Sequence, residues 1–351
     1  MTVFDYKKTI QSLMTPEIVS ALGALREYKG KQAFYYQVQP DVLQKLSEVS
    51  KIQSTEASNR IENISTTNKR LRELMSEKTT PRNRDEREIA GYRYVLNLIH
   101  EKYEAIPVSP SVILQLHRDL YRYENYSFAG HWKDSDNVIA EETLNGEKIV
   151  RFKPTSAAGT PSAVETLCGE YNSLITTDVY DKFLLAALFT FDFVSIHPFN
   201  DGNGRMSRLL TLLLLYKSGY TVGKYISIEK KIEESKETYY EALAASSVGW
   251  HEGKNDYVPF VTYLLGVVIS CYKELEERFN LIFKHPNNTE VIKAYFDSLL
   301  GQATKQEIMD ANPSISKSTI NRVLQSLQAE GYIEKVGAAR NTAYRKSISF
   351  K

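Results

Sequence analysis

Helical periodicity dominates this chain and limits what it can fold into. Apolar residues recur at intervals of three and four over 42–58, 84–101, 110–123, 161–176, 181–193 and 205–218, the spacing of amphipathic helices. Pro16, Pro110 and Pro161 stand near expected helix starts, where a missing N–H costs nothing. One region breaks the pattern. Residues 131–140 and 148–152 read as short strands around Leu144-Asn145-Gly146-Glu147, and Asn-Gly suits a tight hairpin because both residues tolerate positive φ. The expected fold is mostly α, a helical body interrupted by one small β-hairpin.

Beyond a polar, proline-containing stretch the pattern changes. Helices at 290–300, 305–311 and 316–330 are followed by Gly331 and two strand-like pieces, 332–336 and 342–349. Three helices and a β-hairpin describe a winged helix. A chain of 351 residues is long enough for two or three domains. The expected plan is an N-terminal helical region over 1–104, a helical core over 105–284, a linker at 285–289 and a winged helix over 290–351.

Charge and cysteine usage narrow the setting. Forty-four Lys and Arg against 43 Asp and Glu leave a formal charge of +1. No global field therefore points to nucleic acid or membrane, and such binding needs a local patch. Cys168 and Cys271 lie far apart in helical contexts, which fits buried thiols in a reducing compartment. The first residues carry lysines with no apolar stretch behind them, so no signal peptide is expected. Apolar runs such as 209–215 are too short to span a bilayer. The expectation is a cytoplasmic protein without a membrane partner; a homodimer stays open.

The most informative stretch is Ser195-Ile196-His197-Pro198-Phe199-Asn200-Asp201-Gly202-Asn203-Gly204-Arg205-Met206-Ser207-Arg208. Gly202 and Gly204, with Asn203 between them, let the backbone turn tightly and bring N–H groups close to a ligand. An apolar helix follows at once, so those amides sit at its positive end, where phosphate binds readily. Arg205 and Arg208, three apart, share one face from which both can reach phosphate oxygens. Asp201 suits Mg2+, which takes one or two carboxylates and completes its shell with phosphates and water. His197 can accept a proton near neutral pH. Phe199 reads as an apolar anchor.

These residues resemble the Fic family signature, His-x-Phe-x-Asp/Glu-Gly-Asn-Gly-Arg-x-x-Arg, at every specified position. The resemblance extends from Lys45 to Tyr272. It includes the hairpin at 132–152, similar to the family's flap, the pair Tyr239-Tyr240, and Trp250 with Tyr257-Val258-Pro259-Phe260. The resemblance implies a protein adenylyltransferase that moves AMP from ATP to a Ser, Thr or Tyr hydroxyl of a target protein, with AMP removal as the opposite direction. It makes His197 the general base and Asp201 the Mg2+ ligand. Gly202, Asn203 and Gly204 would cradle phosphates that Arg205 and Arg208 hold at the β and γ ends. Tyr239 would line the adenine or ribose pocket, unless it is an ordinary core aromatic. Asn137, Val138 and Ile139 of the flap would pair with an extended target segment.

Ser58-Asn59-Arg60-Ile61-Glu62-Asn63 matches the family's inhibitory pattern, Ser/Thr-x-x-x-Glu-Gly/Asn. The resemblance implies that Glu62, bound to Arg208, takes the charge meant for the γ-phosphate and leaves the α-phosphate misaligned for attack. In the C-terminal module, Lys317 and Arg322 stand on the expected recognition helix, and Lys335, Arg340, Arg345 and Lys346 on the expected wing. That module fits DNA or a docking protein. Two functions follow: an adenylyltransferase held off by its own helix, or a transcription regulator whose Fic domain only senses nucleotide.

Overall fold

The protein, seen in a computed structural model, is described over residues 4–38, 40–142, 148–284, 288–299, 301–312, 315–337 and 342–347. It is mostly helical and falls into two compact units, Met1–Leu275 and Glu276–Lys351. In chain order the first holds α1 (Tyr6–Ser12), α2 (Pro16–Val38), α3 (Pro40–Ile61), α4 (Asn68–Met75), α5 (Arg84–Lys102) and α6 (Pro110–Leu120). The hairpin β1 (Ile139–Glu142) and β2 (Lys148–Phe152) follows, then α7 (Thr160–Ile175), α8 (Lys182–Ile196), α9 (Asn203–Lys217), α10 (Ile228–Glu234) and α11 (Lys236–Ser247). Helix α12 (Val258–Lys284) runs across the division between the units.

Helix α8 is the centre of the first unit. Every residue from Phe183 to Phe193 is buried, the mark of a helix enclosed on all sides rather than amphipathic. Asp181 caps its start by accepting from the Phe183 and Leu184 amides. Helix α9 runs back along it, since Thr211 donates to Thr190 at 3.2 Å and Ser218 donates to the Lys182 carbonyl at 3.2 Å. The short loop joining α8 to α9 is therefore held at one end of a tight antiparallel pair. Helix α3 lies against α5, α9 and α10. Its Ser54 hydroxyl donates to Ser227 at 2.9 Å.

Several expectations change in detail. Only Ile139 and its successors form β1, so 131–138 is not strand; side-chain bonds to the α8–α9 loop hold that stretch instead. The register pairs Ile139 with Phe152 and Glu142 with Lys148. Leu144-Asn145-Gly146-Glu147 lies outside the described residues. Helix α9 begins at Asn203, two residues earlier than expected from periodicity, because the glycines there cap and enter the helix. Residues 258–279 of α12 are long and apolar enough to cross a membrane by length and composition, which corrects the estimate from runs such as 209–215. One face is buried in protein, including Phe260, Val261, Leu264, Val268 and Cys271, as in a core helix. Cys168 and Cys271 are free and buried.

The second unit contains α13 (Asn288–Ser298), β3 (Ala303–Thr304), α14 (Lys305–Ala311), α15 (Lys317–Ala329), β4 (Ile333–Val336) and β5 (Ala343–Lys346). Its antiparallel sheet has three strands in the order β3-β5-β4, one more than the expected hairpin. The extra strand is two residues long, below the length at which alternation is legible. Ile292, Phe296, Ile308, Ile320, Leu324 and Leu327 build its core. Asn288 and Thr289, read as linker, belong to α13, while 285–287 and Arg340 lie outside the described residues.

Helices α5 and α6 touch through Gly91. A Cβ there would overlap the Leu120 carbonyl oxygen, and backbone cannot yield as a side-chain tip can. Gly91→Ala is expected to destabilise the protein by about 3 kcal/mol, read from the chemical-denaturation midpoint. An unchanged midpoint would show that α5 and α6 can separate freely.

Candidate active site

Residues 197–202 form the loop between α8 and α9. His197 ends α8 in the left-handed region, at φ 51°, with its N–H donating to the Phe193 carbonyl at 3.0 Å. A non-glycine residue held there costs of order 1–3 kcal/mol, so the surrounding bonds must impose it. They are numerous. The Phe199 amide donates to Asn203 Oδ1 at 2.9 Å, and Asn203 Nδ2 returns a bond to the Phe199 carbonyl at 2.7 Å. The Phe199 ring is fully buried and stacks on His117 with centroids 3.7 Å apart. His117 accepts from the Gly130 amide at Nδ1, so its proton sits on Nε2 and is donated to the Asp201 carbonyl at 3.0 Å.

His197 is half-buried, with Nδ1 3.4 Å from the Val194 carbonyl. A carbonyl can only accept, so Nδ1 carries the proton and Nε2 is the free base. Burial, then the nearby Lys133 ammonium, lower its pKa to about 4. The imidazole is thus neutral and able to take a proton throughout the physiological range. Lys133 is itself pushed down to about 8 by burial.

The two arginines part company. Arg208 is buried, and it donates through Nε to Ser58 Oγ at 2.8 Å and through Nη2 to the Ser58 carbonyl at 2.9 Å. Its Nη2 also meets Glu62 Oε1 at 2.8 Å. Burial opposes its charge, yet Glu62 holds its pKa above the ordinary guanidinium value. Arg205 does not share that opening, which corrects the expectation of two arginines on one phosphate-facing side. It is buried against Glu88, 2.7 Å from Nη1, and donates to the Tyr121 hydroxyl at 2.8 Å. The apolar surroundings require a carboxylate for a charge that cannot reach water.

Helix α3 delivers Glu62. It ends at Ile61, and Asn63 takes φ 60°, the left-handed turn that Asn or Gly accepts most readily. That requirement explains the last position of the Ser58–Asn63 pattern. The carboxylate comes to rest over Gly204, where a Cβ would overlap its Oε1. Gly202, at φ 82°, is the N-cap of α9 with no capping side chain. Its amide donates to Asp201 Oδ1 at 2.7 Å. The Asp201 side chain is 47% exposed, with Oδ2 3.8 Å from Arg84 Nη2.

Other expected residues sit differently. Tyr239 is 5% exposed and turned toward Ser207 and Arg208, whereas Tyr240 is 46% exposed. Tyr240 therefore has the open ring, and Tyr239 backs the start of helix α9. The Asn137 side chain makes one bond at each end of its amide, accepting from Lys133 at 2.8 Å and donating to the Phe199 carbonyl at 3.2 Å. Val138 is exposed, and Ile139 begins β1. Sequence reasoning missed Glu88, Tyr121, His117 and Lys133. Glu88 could have been sought as the partner that Arg205 needs inside an apolar helix. Among the described residues no group of three or more His, Cys, Asp or Glu could hold a metal.

A profile of the Fic/DOC family matches residues 107–215. A Fido domain-containing protein of Dictyostelium discoideum is 35% identical over 126 residues, covering 34% of this chain and 78% of that protein. The chain belongs to the Fic/Fido family. Protein adenylyltransferase Fic of Aedes aegypti is 38% identical over 178 residues, which are 50% of this chain but only 30% of the mosquito protein. The worm relative, protein adenylyltransferase fic-1 of Caenorhabditis elegans, is 26% identical over 170 residues and is matched over 28% of its length. The chain thus spans less than a third of either adenylyltransferase. In fold it is similar to a Fic family protein from Desulfovibrio desulfuricans, with a TM-score of 0.61 at 21% identity, covering 96% of this chain and 98% of that one.

The low basicity of His197 is open to measurement. In the free protein its imidazole is expected to titrate near pH 4, well below the ordinary value, in a pH series of NMR spectra. A midpoint at or above 6 would remove burial as the controlling effect.

Proposed function

We propose that the chain is a protein adenylyltransferase that uses ATP to modify a Ser, Thr or Tyr hydroxyl of another protein, and that Glu62 holds it off. One observation carries this reading: the Glu62 carboxylate sits 2.8 Å from Arg208 and directly over Gly204. An anion already occupies the position that a helix start and a buried guanidinium make favourable for phosphate.

The chemistry follows from the free nitrogen of His197. Its Nε2 accepts the proton of the target hydroxyl as that oxygen attacks the α-phosphorus. The bond from that phosphorus to the bridging oxygen of the β-phosphate breaks, and pyrophosphate leaves. Asp201 is the residue that would hold Mg2+, whose shell needs only one carboxylate when phosphates and water complete it; bound there, the ion would neutralise phosphate charge. Gly202, Asn203 and Gly204 shape the cradle, Asn203 by bonding the loop to itself. Arg208 binds the terminal phosphates once Glu62 withdraws, and Arg205 holds α9 in place.

Glu62→Gly is expected to raise transfer of α-labelled phosphate from ATP to protein, self-modification included, by roughly tenfold or more, the worth of one charge-assisted bond. Adding His197→Ala should lower the rate by about 10²- to 10⁴-fold, while calorimetry shows ATP affinity within a few-fold of the parent. Transfer retained without the imidazole would sink the mechanism, and γ-label on protein would indicate a kinase instead.

A second reading, a winged-helix regulator that senses nucleotide, is favoured by helix α15. Lys317 and Arg322 are exposed there with no acidic partner among the described residues. The expected wing is less available, since Arg345 pairs with Glu334 at 2.5 Å and Lys346 with Asp297. If the full chain binds duplex DNA, Lys317→Ala and Arg322→Ala should each reduce the salt slope by about one unit. No retention at low salt would assign the module to protein docking.

A further inference from the structure

The segment leading into the β1–β2 hairpin touches the catalytic loop at an unusual number of backbone points. The Lys133 amide donates to the Pro198 carbonyl at 2.9 Å. Its side chain is buried, and Nζ donates to the Ile196 carbonyl at 3.2 Å and to Asn137 Oδ1 at 2.8 Å. Asn137 Nδ2 donates in turn to the Phe199 carbonyl at 3.2 Å. Three carbonyls around His197, those of residues 196, 198 and 199, are therefore held by two residues at the foot of the flap. The Trp132 ring stacks near Phe199, with centroids 5.4 Å apart. Strand β1 starts two residues beyond Asn137.

A lysine ammonium is costly to bury without bonds that use its protons. Among the described residues Lys133 meets no carboxylate hydrogen-bond partner; it spends its donors on a main-chain carbonyl and an amide oxygen. An arrangement of this kind holds geometry, because each acceptor belongs to a different part of the site. We propose that Lys133 is a positioning residue for the transfer reaction, fixing the His197 base and the target-docking hairpin in one frame through Ile196 and Asn137. The proposal rests on the adenylyltransferase reading above. A target segment aligned on β1 then presents its hydroxyl at a set distance from Nε2, and an error of an ångström there costs about a hundredfold in rate.

The same ammonium acts on His197 through space. The charged groups that face the imidazole are Lys133, which lowers its basicity, and Glu62 and Asp201, which raise it; Asp136 faces Lys133 itself. In a Glu62→Gly parent one of the two raising charges is gone, which leaves the lysine effect clearer.

The test uses the full chain with Glu62→Gly as parent, and a His197→Ala copy of the chain as protein substrate. Lys133→Met, uncharged and of similar length, should keep ATP affinity within about twofold by calorimetry. It should raise the KM for the protein substrate and lower kcat/KM by about ten- to a hundredfold. Its acid limb should also move to higher pH, because removing a cation makes His197 easier to protonate. Asn137→Ala, which cuts the link to the flap and keeps the ammonium, should raise KM without moving the acid limb. Lys133→Met with kcat/KM within twofold of the parent, or with ATP affinity lost in proportion to activity, would overturn the proposal. A parent that transfers no AMP is a failure of the adenylyltransferase reading. Lys133 is then judged by NMR titration of His197, where an unmoved midpoint in Lys133→Met overturns its role and an upward shift supports it.

Discussion

The start of helix α9 demands an anion, and most of the site is arranged around that demand. A helix leaves its first amides without internal partners, and Gly202 offers no side chain to cap them. Arg208, buried one turn further on, adds a full positive charge. Left alone, such a charge would destabilise the fold by several kcal/mol. Glu62 satisfies it from helix α3, with Ser58 supplying two further acceptors to the same guanidinium. The Glu62 carboxylate thus fills one electrostatic vacancy, and through it the two helices α3 and α9 are coupled.

Around this centre other buried charges serve alignment. Glu88 lies between Arg84 and Arg205 and ties α5 to α9. Asp192, on α8 five residues before His197, accepts from Tyr6 at 2.7 Å, Trp250 at 2.7 Å and Tyr257 at 3.0 Å. Burial raises its pKa to about 7, against the pull of those three donors. Trp250 reaches onward to Phe152 of β2, its ring 5.9 Å away, so the second strand of the hairpin is anchored to the same helix that presents the base. Both ends of the flap thereby answer to α8.

The helices over 84–101, 110–123 and 161–176 were legible because apolar spacing records which face is buried, whereas 181–193 is apolar on all sides because the helix there is enclosed. Loop geometry was legible for a different reason: Gly202 answers to a positive φ and Gly204 to the close approach of a carboxylate. The partners of Arg205 and His197 were not. Glu88 and Lys133 look in sequence like any solvated charge, and only the packing of α5 and the flap foot turns them inward. Tyr239 and Tyr240 show the limit from the other side. The two rings touch, with centroids 5.4 Å apart, yet one is buried and the other half exposed, and spacing within an adjacent pair does not say which is which. Strand β3 and the paired cations Arg345 and Lys346 were hidden because they depend on contacts between segments.

Asn63 sets one more property of the protein. By turning left-handed it ends α3 one residue before Glu62 could belong to a further helical turn, so the glutamate rides on a terminus. Helix ends open with far less free energy than helix interiors. Here the terminus is fastened from outside, by Lys236 donating to the Ile61 carbonyl at 3.0 Å and by Arg60 at 3.3 Å from Glu233. The turn before it is not loose, because Ser58, Asn59 and Ile61 are buried, so the glutamate rides on an end that packing holds as well as polar bonds. The presentation of Glu62 thus depends on one cation and one carboxylate outside α3, Lys236 and Glu233, and ionic strength screens the exposed Arg60–Glu233 pair while leaving the buried turn in place.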